Sequence, residues 1–138
     1  MDTELWELLH DGTIAKLDRM SSGELRITLE IEYVRQMFDG EGTSLFIYLT
    51  DCDVLRYEAY DGSIPIDDLE QLVREELSFI CARDEDGQIK VSCGYGDVCL
   101  RYGTARVELD DERPITRYDL EDACSRYWEA FRNRNAPN

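Results

Sequence analysis

Residues Glu24 to Tyr33 read ELRITLEIEY, in which Leu25, Ile27, Leu29, Ile31 and Tyr33 alternate strictly with Glu24, Arg26, Thr28, Glu30 and Glu32. Successive side chains of an extended chain point to opposite faces, so this stretch predicts an antiparallel strand with one face buried and one in water. Upstream, Gly12 to Arg19 sets Thr13, Ala15 and Leu17 against Lys16 and Asp18, and Met20-Ser21-Ser22-Gly23 supplies a turn. The two runs together make a first hairpin. Downstream, Asp39-Gly40-Glu41-Gly42 breaks the chain, and Leu45 to Thr50 and Val54 to Tyr60 form two further strands around Asp51-Cys52-Asp53. Both carry apolar residues on either face, which places them centrally in a sheet.

Asp67 can cap a short helix, with Glu70 three residues on and Leu69, Leu72, Val73 and Leu77 as its apolar stripe. Phe79 to Arg83 and Gln88 to Cys93 then flank Asp86-Gly87, a strong two-residue hairpin signal that sets Cys81 opposite Ser92 and not opposite Cys93. Gly94-Tyr95-Gly96-Asp97 makes the next turn. Val98, Leu100 and Tyr102 follow on one face, and beyond Gly103 the apolar parity moves to Ala105, Val107 and Leu109, which predicts a bulge or bend at the glycine. Thr116 with Asp119 caps a closing helix striped by Leu120, Ala123, Cys124, Tyr127 and Phe131. The expected fold is α+β, a mostly antiparallel sheet with a short mid-chain helix and a C-terminal helix against one face. The 138 residues suit one domain, with 133–138 as a frayed tail.

The chain has 31 Asp and Glu against 15 Lys and Arg, a formal charge of −16. That charge repels phosphates and anionic lipids, so nucleic acid and membrane surfaces are poor partners and a basic protein is a good one. No apolar run approaches the roughly 18 residues of a membrane span. The five cysteines, at 52, 81, 93, 99 and 124, are odd in number and without C-x-x-C spacing, which suits reduced, buried thiols in the cytoplasm and neither zinc nor disulfides.

Catalytic chemistry finds little to rest on. His10 is the only histidine, and Asp11 beside it would point the opposite way in extended chain. No nucleophile motif accompanies them, so a small enzyme built on His10 and Asp11 is the alternative and not the leading expectation. Asp51-x-Asp53 and Asp84-Glu85-Asp86-Gly87 are incomplete as calcium loops and sufficient as turns. Gly94-Tyr95-Gly96 precedes a strand, not a helix N-terminus, and so cradles no phosphate. No metal and no cofactor are expected.

Acid is unevenly placed. Residues 51–86 hold twelve carboxylates against Arg56, Arg74 and Arg83, a net of −9. A partner-binding surface is therefore expected from Asp51, Asp53, Arg56, Tyr57, Glu58, Tyr60, Asp61, Asp67, Asp68 and Glu70, with carboxylates for steering and Arg56, Tyr57 and Tyr60 as anchors. A third possibility is a structural or dimer-forming domain whose charge serves solubility alone.

Trp6 followed by His10-Asp11-Gly12-Thr13-Ile14 resembles the W…HD-x-x-[IV] start of a group of bacterial polymorphic-toxin immunity proteins. The strand pair Leu45 to Tyr60, and Asp97 to Tyr102 leading to Arg106–Leu109, are similar in pattern to that group, so the resemblance covers residues 6 to 109. The chain departs from it at Gly12, where the group more often has alanine, and in the helix from Thr116. The resemblance implies a cytoplasmic antitoxin that binds and blocks a cognate toxin and catalyses no reaction.

Overall fold

A computed structural model of the chain describes residues 2–135 and is α+β, with two antiparallel sheets in place of the single one expected. In chain order the elements are α1 (Thr3–Leu8), β1 (Thr13–Arg19), β2 (Leu25–Glu30), α2 (Glu32–Arg35), β3 (Ser44–Leu49), β4 (Val54–Ala59), α3 (Leu69–Arg74), β5 (Cys81–Glu85), β6 (Gln88–Ser92), β7 (Gly96–Arg101), β8 (Ala105–Leu109), β9 (Pro114–Ile115) and α4 (Arg117–Asn135). The first sheet runs β1-β2-β3-β8-β9 and the second β4-β7-β6-β5.

The alternation of β2 places Leu25, Ile27 and Leu29 inward, opposite Leu49, Ile47 and Leu45 of β3. The strand ends at Glu30, earlier than the pattern implies. Ile31 keeps its buried place, but α2 begins at Glu32, so Tyr33 sits on a helix. β3 is central as expected, whereas β4 is an edge strand whose outer backbone is met at one point, where Tyr57 and Ile66 exchange both hydrogen bonds.

The parity change at Gly103 is a change of sheet. β3 runs on into β4 and β7 into β8, and both crossings occur together. Thr50 N–H donates to the Thr104 carbonyl (2.9 Å), Gly103 N–H to the Thr50 carbonyl (2.7 Å) and Asp53 N–H to the Arg101 carbonyl (3.1 Å). A Cβ on residue 103 would lie 2.9 Å from Thr50 Oγ1, closer than real Cβ atoms come, so glycine lets the two crossings touch. At the opposite side residues 77–80 join the sheets. Ile14 and Asp11 N–H donate to the carbonyls of Leu77 and Phe79, and Ile80 N–H reaches Ser92. Trp6, fully buried on α1, spans both junctions: its Nε1 donates to Tyr102 Oη at 2.9 Å and its ring meets Phe79 edge-on at 5.7 Å.

The local signals fall close to expectation elsewhere. Asp86 (φ 56°) and Gly87 (φ 73°) make the two-residue turn, and Cys81 does pair with Ser92. Thr116 and Asp119 exchange hydrogen bonds in a full capping box. For α3 the cap is Asp68, which accepts from Gln71 N–H, and not Asp67 one residue earlier. α4 continues as helix through Asn135, which takes in 133–135 of the expected tail, and 136–138 lie outside the described residues. Cys99 and Cys124 are buried, whereas Cys81 is exposed on an edge strand.

Arg35 is the most deeply buried charge among the described residues. Its Nε donates to Asp110 at 2.7 Å and its Nη atoms to the carbonyls of Asp39 and Glu41, while Asp110 also accepts from the N–H groups of Thr43 and Ser44. Burial alone would raise the Asp110 carboxyl; Arg35 and the two amides more than offset that and hold it below the ordinary carboxylate range.

Two outcomes are expected of urea unfolding. Trp6→Ala should cost about 3–5 kcal/mol, as large aromatic truncations in cores do. Asp110→Ala should cost a similar ~3–5 kcal/mol by stranding the Arg35 guanidinium. Because the folded carboxyl titrates below the unfolded one, its stabilisation is complete above the unfolded value and is lost as pH falls through the folded one. Asp110→Ala should therefore flatten the acid limb of the stability profile.

Candidate protein-binding groove

The end of β4, the turn after it, residues 75–78 and the β6–β7 turn enclose an open groove of about 880 Å³. Its floor is the Tyr57 ring, which lies against Gly96, where a Cβ would come within 2.6 Å of both that ring and the Glu58 carbonyl. Tyr60 stands on the rim. Its N–H donates to the Tyr95 carbonyl (2.9 Å) and its hydroxyl to Asp97 Oδ1 (2.7 Å), an aspartate nearly closed off from water and held from the other side by Arg83 (2.8 Å). The tyrosine is thus fixed at both ends although the residue is 60% exposed.

Ile64 and Tyr95 complete the rim, at 88% and 86% exposure. Around these apolar groups stand Asp61, Glu75 and Glu76. Ser63 donates to Asp61 from its N–H (2.9 Å) and hydroxyl, lowering the Asp61 carboxyl, and Glu76 occupies the left-handed region (φ 51°) just past the end of α3. Cys93 lines the interior, but burial pushes its thiol up to about 12, so it stays protonated at neutral pH and is a poor nucleophile.

Of the residues singled out in the sequence, the structure brings Tyr57, Tyr60 and Asp61 together here. Asp51 (φ 49°) lies at the sheet-switching corner and Asp53 beside it, in a bidentate pair with Arg101 at 2.9 and 2.8 Å. Arg56 and Glu58 pair with each other at 2.7 Å on the outer face of the second sheet. Asp67, Asp68 and Glu70 gather at the start of α3, where Asp68 caps the helix and Glu70 faces Arg74. The acidic stretch is therefore spread over several surfaces. Ile64, Glu75, Glu76 and Tyr95 were missed. Tyr95 between two glycines and Ile64 beside Pro65 are apolar groups in turns, and that misplacement was the available signal.

His10 and Asp11 are not splayed apart. Asp11 adopts φ 68°, which turns its carboxylate to within 3.4 Å of His10 Nε2, while His10 Nδ1 lies 2.8 Å from the Ile80 carbonyl oxygen. Among the described residues no helix is long and apolar enough to cross a membrane. No family model matches the chain, and neither a curated protein nor a solved structure matches it.

Thiol accessibility checks this geometry. Under native conditions a maleimide should label Cys81 first and leave Cys93 largely unmodified; equal rates at the two would contradict the burial described.

Proposed function

We propose that the chain is an acidic protein-binding module of the immunity type, which covers the basic surface of a cognate toxin in the cytoplasm and catalyses no reaction. The observation that carries this reading is the groove, where Tyr60, Ile64 and Tyr95 stand exposed inside a frame of Asp61, Glu75 and Glu76. Protein interfaces draw most of their affinity from a few aromatic anchors at a desolvated centre, and charges at the rim set the rate of encounter. A single apolar side chain on a surface is ordinary, but several around one concavity in a chain of net charge −16 fit a partner that is basic at its edge and apolar at its centre.

Tyr60 is already immobilised by Asp97 and Tyr95, so it loses little rotamer freedom on binding. A toxin that acts on nucleic acid needs a cationic surface for phosphates, and an acidic cover competes for the same charges.

The test is co-expression with a toxin encoded beside the gene, followed by binding kinetics. The wild-type chain should restore growth. Tyr95→Ala should weaken the complex about 30-fold, near 2 kcal/mol for an aromatic anchor, with folding unchanged. Glu75→Lys with Glu76→Lys should slow association, less so as salt rises. Unaltered affinity in an Ile64→Asp, Tyr95→Ala double variant would overturn the assignment.

A further inference from the structure

The second half of α4 carries another exposed apolar surface. From Ser125 to Arg134 the described side chains are exposed except Tyr127, and Trp128 and Phe131 remain 39% and 41% accessible. Isolated helices of this length are marginal in water, so an outlying half-helix gains from being covered.

Glu121, Ser125, Trp128 and Arg132 follow at intervals of four, three and four residues, which sets them in one line on the helix, and all four are exposed. This line reads acid, small, large, base. Turned end for end about its midpoint it matches itself, with Glu121 against Arg132 and Ser125 against Trp128. At 1.5 Å per residue the acid and base lie about 16 Å apart, so one antiparallel helix contact can make both pairs at once.

The acidic end has a receptacle of its own. Glu4, Glu7, Leu8 and Glu121 line a notch of about 300 Å³ between α1 and α4. Arg117, one helical turn before Glu121, is already bonded to Asp2. An arginine entering there would meet three carboxylates and an apolar wall for its methylenes.

We propose that the chain forms a two-fold symmetric dimer through antiparallel α4 helices, with Arg132 of the second copy seated in the Glu4–Glu7–Glu121 notch and Trp128 over Ser125 of the second copy. Such an interface is isologous and closes on itself, so assembly stops at two. It uses none of the residues that line the Tyr60–Tyr95 groove.

Sedimentation of the purified chain tests this, with far-UV dichroism as the control for folding. The 16.1 kDa chain should sediment at twice its mass, with the monomer appearing on dilution. Arg132→Glu alone should give monomers, since it sets a carboxylate into the carboxylate notch at both contacts, and Glu4→Lys, Glu7→Lys and Glu121→Lys together should do the same by setting Arg132 against cations. Mixed in equal amounts, these two variants should recover the dimer mass, because one native contact and one with both sides reversed then form. A wild-type monomer at all concentrations, or either variant that stays dimeric by itself, or a mixture that stays monomeric, overturns the proposal.

Discussion

Trp6 holds the molecule together from between its two sheets. Neither junction is supported by regular sheet pairing alone: at one the chain passes from sheet to sheet twice, at residues 50–53 and again at 102–104, and at the other residues 77–80 pair with the edge of β1 and run on into β5. A single indole touches both, by a hydrogen bond to Tyr102 and an edge contact with Phe79. The indole N–H needs a partner when buried, and the Tyr102 hydroxyl provides it beside the glycine where the strands cross.

The groove follows from the same arrangement. Because the chain leaves the first sheet at Thr50–Asp53, the far end of β4 comes to lie beside residues 75–78 and the β6–β7 turn, and Tyr57, Tyr60, Glu75 and Tyr95 meet although they are distant in sequence. Asp97 links the groove to the outer face of the second sheet, through Tyr60 on one side and Arg83 on the other. Tyr60, held at both ends, is ordered before a partner arrives, which lowers the cost of binding at that anchor. The α4 surface shares no residue with the groove.

Much of the local structure was legible from residue chemistry. The period of Leu25–Ile31, the Asp86-Gly87 turn and the Thr116/Asp119 box each act within a few residues, where sequence and geometry are tightly linked. The parity change at Gly103 carried the most information, and its reading as a bend was right in kind, though a second sheet cannot be inferred from parity alone. The short helices α1 and α2 gave no periodic signal. The site was legible only in part because charge density along the chain ignores the alternation of strand faces: Arg56 and Glu58 point away from Tyr57 and so leave the groove. What marked the groove was the opposite signal, large apolar side chains in turns at Ile64 and Tyr95.

The groove as the partner-binding surface is tested most directly by hydrogen exchange of the chain alone and in complex with the toxin encoded beside its gene. Protection on binding should centre on residues 59–66, 75–78 and 93–96. A complex in which those amides exchange as in the free chain, with protection confined to the start of α3 or the outer face of β4 to β7, would contradict the account.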